Sequence, residues 1–178
     1  MTKVARPFLL PLVVLVTYTA LVNSAVGLPR SIRVAPKAFP TNLCTLRLQP
    51  QLKELDVNWP CVAAAPTVFS ARYGSPKVFE AKWLPPRGTD GRYAIVEIWT
   101  GPAALASNFE HQYSTVTGTV VLGSWAREET TTTYSTVASW VHGVGIDVQV
   151  AQIGNEGKLG SNLEAQTFAL AKAVAAQF

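Results

Sequence analysis

Between Lys77 and Leu84 the chain reads KVFEAKWL, with Val78, Glu80, Lys82 and Leu84 alternating against Phe79, Ala81 and Trp83. The second set is the apolar one, so this run predicts a half-buried strand. Arg92 to Thr100, RYAIVEIWT, is a second β-rich run. The turn-rich loop from Pro85 to Gly91 lets the two pair as a long hairpin. Val120–Trp125 and Thr131–His142 are strand-like, and beyond them Ile146, Val148 and Val150 alternate with Asp147, Gln149 and Ala151. Gly143-Val144-Gly145 is the expected hairpin turn. A three-residue loop would oppose Trp140 to Val148 and Ala138 to Val150. A two-residue loop would oppose Val141 to Ile146 and Val137 to Val150. Such a register change flips the buried face, and the pattern leaves both open.

Helical spacing appears in three places. Gln49 to Asp56 carries Pro50, suited to a first turn, with Leu52 and Leu55 three apart. Gly101-Pro102 opens a second helix on which Leu105, Phe109, Tyr113 and Val116 form one stripe that should pack on the sheet. The third begins at Ser161-Asn162-Leu163-Glu164, a capping box, and buries Leu163, Thr167, Leu170, Ala171, Val174 and Phe178. Val62 to Arg72 fits a helix or a strand. These elements predict an α+β fold, a mostly antiparallel β-sheet with helices packed on one face, including a C-terminal helix.

The first residues change the setting. Lys3 and Arg6 precede an uncharged apolar run from Phe8 to Val22, followed by small residues around Ala25 and Gly27. That is the layout of a secretory signal peptide over residues 1–27. The run is shorter than the ~20 residues a spanning helix needs, although an uncleaved anchor over residues 8–28 is the alternative. Residues 28–42, with Pro29, Pro36 and Pro40 among Arg30, Arg33 and Lys37, read as an extended, solvated linker. Residues 43–178 then form a single α+β domain. The expected localisation is exported, in the cell envelope or periplasm or secreted. Any membrane contact is then made only through the leader, if it is uncleaved.

The chain has 15 Lys and Arg against 11 Asp and Glu, a net charge of +4. With Lys3 and Arg6 in the leader and the other basic residues scattered, nucleic acid is not an expected partner. Cys44 and Cys61 lie 17 positions apart in the exported part, which points to a disulfide. A Cys2His2 zinc site with His111 and His142 is the rival, but the spacing matches no finger pattern. No metal site and no cofactor are therefore expected. His111 follows Glu110 on a helix, where neighbours do not face each other, and should point to solvent. His142 ends a strand beside the glycine turn. Neither has a nucleophile partner, and no hydrolase, phosphate-loop, zincin or dinucleotide motif is present, so no catalytic residue is assigned. Glu128-Glu129 before Thr130–Thr133 reads as charge guarding a sheet edge, and Gly154-Asn155-Glu156-Gly157 as a turn.

Trp59, Trp83, Trp99, Trp125 and Trp140, with Tyr73, Tyr93, Tyr113 and Tyr134, are numerous for the length. They fill a core or line a groove between sheet and helix for an apolar ligand; no residue is assigned to ligand binding. Asn42-Leu43-Cys44-Thr45-Leu46, a short helix, a second Cys, several strands and an Ala-rich final helix together resemble small exported actinobacterial envelope proteins. These include cysteine-stapled lipoproteins of unknown function and, more distantly, the extracellular sensor domains of kinases. The chain departs from them in lacking a lipid-acceptor Cys and a second disulfide. The resemblance implies envelope location and non-catalytic binding of a small apolar ligand or an envelope protein. The alternatives are a structural accessory subunit of a membrane-associated complex and a hydrolase with an unrecognised site, which would need His111 or His142 in a cleft beside an acid.

Overall fold

In the computed structural model, residues 39–68, 76–101, 105–116, 118–154 and 162–178 are described. The leader, most of the 28–42 linker, Tyr73, Ser161 and Asn155–Gly157 lie outside them.

Seven strands form one sheet in the order β1-β2-β3-β7-β6-β5-β4, every neighbouring pair antiparallel. The strands are β1 Cys61–Val68, β2 Lys77–Trp83, β3 Gly91–Thr100, β4 Gly118–Thr119, β5 Trp125–Thr130, β6 Tyr134–Val141 and β7 Val144–Ile153. The helices are α1 Gln49–Glu54, α2 Leu105–Gln112 and α3 Leu163–Ala175, with a 3-10 turn at Leu43–Thr45. The α+β class, the antiparallel sheet, the β2–β3 hairpin and the C-terminal helix are as the pattern predicts.

On one face, Phe79, Ala81 and Trp83 of β2 line up with Ala94, Val96 and Ile98 of β3 and with Ile146, Val148 and Val150 of β7. α3 closes this face with Leu163, Leu170, Ala171 and Val174, and Leu43, Leu48, Leu52 and Leu55 fill its margin. Burying this apolar surface is the main term holding the domain together. Polar pins fix the margin: Gln166 Nε2 donates to the Glu54 carbonyl at 2.8 Å, and the Arg47 amide to Gln177 Oε1 at 2.9 Å. Trp59 belongs here too, its Nε1 donating to the Arg92 carbonyl at 2.6 Å.

Three expectations are corrected. The β6–β7 turn is His142-Gly143, which opposes Val141 to Val144, Trp140 to Gly145 and Val137 to Val148, so neither anticipated register forms. Both turn residues have positive φ, 50° and 87°, the conformation a two-residue hairpin needs; a histidine here takes a place more often given to Asn. Val120–Trp125 is mostly loop, with Val121 92% exposed, and only Trp125 enters a strand. The Ser161-to-Glu164 capping box falls partly on Ser161, outside the described residues; Asn162 precedes α3 without a side-chain cap bond. α2 alone packs on the face opposite α3, because Phe109 finds Trp99 and Trp140 there. Val62 to Arg72, left between helix and strand, is strand β1 as far as Val68.

Cys44 and Cys61 are bonded, joining the 3-10 turn to the start of β1. The crosslink restricts the unfolded chain, so the Cys44→Ser/Cys61→Ser double variant should lose about 3 kcal/mol. Urea unfolding of the two proteins side by side measures this.

Candidate functional site

The second face of the sheet is built differently. Side chains alternate along each strand, so the register that buries Val96 and Val148 beneath α3 turns Glu97 and Asp147 to the other side. There, Glu80 of β2, Glu97 of β3, Asp147 of β7, Ala138 of β6 and Arg127 of β5 stand directly opposite one another in sequence. Three carboxyl groups thus occupy one row across three neighbouring strands. Like charges directly opposite are unfavourable. Among the described residues Lys82 is the lysine that meets them, its Nζ 2.9 Å from Glu80 Oε1.

Asp147 is fully buried. Thr136 Oγ1 donates to its Oδ1 at 2.9 Å and Gln149 Nε2 to its Oδ2 at 2.7 Å. The Tyr113 hydroxyl, just past α2, lies close enough to bear on the same carboxyl. Burial nevertheless holds the Asp147 carboxyl above the ordinary range, opposed by the bonds from Gln149 and Thr136 and by Tyr113. Glu97 is half-buried and receives a 3.3 Å bond from Trp99 Nε1. Its pKa is pushed up to about 7, first by burial, then by the charges of Asp147 and Glu80, against the Trp99 bond and Lys82. Both members of the pair are thus pushed toward the protonated form, Asp147 by burial and Glu97 by burial and the neighbouring charges. The Tyr113 hydroxyl is pushed far upward by burial and by the Asp147 and Glu97 charges, so it stays protonated.

Next to this row the aromatics close up. Phe109 of α2 sits 5.4 Å from Trp99, 5.9 Å from Trp125 and 5.8 Å from Trp140, centroid to centroid. Tyr113 joins at 4.7 Å. Trp83 is in the main core. The described tryptophans therefore act mainly as packing; Ile95, half-exposed on β3 two positions from Glu97, and exposed Val62 on β1 offer apolar surface toward solvent near the row. A separate cleft of about 480 Å³ runs along the outer side of α3. Its lining is Ala165, Phe168, Ala169 and Ala173 with Gln51 and Lys172, remote from the buried carboxyls on the other face.

The residues weighed from sequence fall elsewhere. His111 and His142 are both exposed. Both cysteines are in the disulfide, which removes the zinc alternative. Glu128 and Glu129 are on β5, where Glu128 faces Glu164 of α3 and has its carboxyl raised by burial and by that neighbour. No group of metal-ligating side chains occurs among the described residues. Sequence reasoning missed Glu97 and Asp147 because polar positions of an alternating strand are ordinarily solvent-facing. The available signal was that Glu80, Glu97 and Asp147 each occupy the polar phase of a paired strand. Comparison of the chain with protein-family models, curated proteins and solved structures finds no match.

Two outcomes follow. Glu97 has a folded pKa above its unfolded one, so its contribution to stability is fully present below about pH 4.5 and is lost as the pH rises through about 7. At about 1.4 kcal/mol per unit the loss has an upper bound of roughly 3–4 kcal/mol. Urea unfolding from pH 4.5 to 8 should show this fall in wild type and flatten in Glu97→Gln. Phe109 lies directly over Gly145, where an added methyl would meet its ring at 2.5 Å. Gly145→Ala should therefore cost about 1–3 kcal/mol and quench or shift the Trp99/Trp140 fluorescence as α2 is pushed away.

Proposed function

We propose that this chain is an exported, non-catalytic binding module whose ligand face is the sheet surface around Glu97 and Asp147. The observation that carries this reading is the buried carboxyl itself. Removing Asp147 from water costs free energy, and a perturbed carboxyl beside accessible groups is a candidate for a functional site. Access comes from Glu97, Tyr93, Ile95 and Gln149, all half-exposed on the same face. A small ligand would present a basic or hydrogen-bonding group to Glu97 and rest an apolar part on Ile95 and on Val62, which is 63% exposed in the neighbouring row.

Export is supported by the disulfide, a bond that persists in oxidising compartments, and by the leader pattern in the sequence. No described helix is long and apolar enough to cross a membrane. Binding is favoured over hydrolysis because His111 and His142 are exposed instead of lying in a cleft beside an acid. The accessory-subunit alternative draws support from β1, an uncharged edge strand with Val62 and Val68 exposed, which suits pairing with another chain.

Native mass spectrometry of the protein from envelope and culture-fluid fractions tests this. The expected species begins near Ala25 or Leu28, is oxidised at both cysteines, and carries a small added mass that Asp147→Asn loses. A reduced full-length chain in the cytoplasm would overturn export. An added mass unaffected by Asp147→Asn would move the ligand off this face, and a co-purifying chain in its place would favour the accessory subunit.

A further inference from the structure

We infer that the outer face of α3 docks a second copy of this chain, the two α3 helices packing antiparallel about Phe168 so that Glu164 of each meets Lys172 of the other. This face lies on the side of the sheet away from Glu97 and Asp147, so the inference stands or falls apart from the ligand reading.

A surface helix ordinarily turns polar and charged side chains to water. α3 instead keeps Ala165, Phe168, Ala169 and Ala173 at least partly exposed outside its buried stripe, and its two charged residues are Glu164 and Lys172. Clefts of about 480 and 400 Å³ flank the helix and share Ala165 and Phe168. Gln51 walls the first, where its Oε1 is buried without a hydrogen-bond partner among the described residues. A donor entering that cleft would satisfy it. Val120, Glu128 and Glu164 wall the second, and neighbouring Val121, 92% exposed, extends the apolar surface.

The charges choose the occupant. Glu164 stands four positions before Phe168, and Lys172 four positions after it. Eight residues of helix span about 12 Å, too far for the two to pair within one chain. Lys172 lies over the Phe168 ring, its Nζ 5.7 Å from the centroid. A second α3 running antiparallel across a two-fold axis at Phe168 places each Glu164 beside Lys172 of the other copy. Glu128, in the same cleft as Glu164, offers that ammonium a second carboxylate. A parallel pairing in register would set Glu164 against Glu164 and Lys172 against Lys172. The alanines let the two backbones approach to the short end of the ~8–10 Å range of packed helices. Burial of the apolar face supplies the attraction, and the charges supply the direction. One helix pair is small beside the ~1,200–2,000 Å² of a stable complex, so the dimer is weak, half-formed at roughly 10–500 µM.

Sedimentation equilibrium of the oxidised full chain at concentrations up to about 500 µM tests this. Wild type should follow a monomer–dimer equilibrium. Glu164→Lys and Lys172→Glu should each weaken it at least about tenfold, because like charges then meet twice. An equimolar mixture of the two variants should dimerise again, since each then presents the charge the other needs. The Glu164→Lys/Lys172→Glu double variant should self-associate as wild type does, which keeps the test decisive if one single variant loses stability. Both positions are exposed, and circular dichroism checks that the fold is kept. A wild type that stays monomeric throughout would overturn the inference. So would association that neither single variant weakens, or a loss that neither the mixture nor the double variant restores.

Discussion

β3 and β7 run in one unbroken antiparallel register from Gly91 opposite Ile153 to Trp99 opposite Gly145. Because side chains alternate strictly along a strand, this pairing divides the domain into two unlike halves. One parity supplies Ala94, Val96, Ile98, Ile146, Val148 and Val150 to the core beneath α3; the other places Glu97 against Asp147 and Gly145 beneath Phe109. A slip by one residue would set Glu97 opposite Ile146 or Val148 and send one of the two acids into the core beneath α3. The core thus enforces the carboxyl pair: the hydrophobic driving force that seats α3 also holds two acids side by side against their electrostatic preference.

Much of this architecture is legible in the sequence, and the reason differs by element. β2 and β3 declare themselves through clean alternation and a turn-rich loop, and α3 through its leucine and alanine stripe, because one face of each is apolar and the other is not. The β6–β7 turn is not legible in that way. It depends on His142 adopting a left-handed conformation, which a β-rich run ending in histidine does not announce. The placement of α2 is hidden for another reason. Its stripe shows that Phe109 and Tyr113 are buried, but not on which side of the sheet, and Gly145 is the residue that makes room for it.

The candidate site escapes for a related reason. Asp147 occupies the polar phase of its strand, as a solvent-facing residue would, yet α2 and the neighbouring strands bury it completely. The polar groups around it come from the next strand and from beyond it, Thr136 on β6 and Tyr113 after α2, together with Gln149 two residues along β7. The aromatic residues, the more conspicuous feature of the sequence, work mainly as packing around Phe109 and in the α3-side core. Chemistry and conspicuousness are separated here: the tryptophans pack around Phe109, and the paired acids stand beside them on the same face.

The central claim is that Glu97 and Asp147 are a coupled pair in which Glu97 keeps its proton to near neutrality. Carbon-detected NMR titration of the side-chain carboxyls in the folded protein tests it most directly. The account predicts a Glu97 carboxyl titrating at about 7, with an inflection on Asp147 at the same pH that disappears in Glu97→Gln. Titration of both groups independently in the ordinary carboxylate range, near 4, would contradict it.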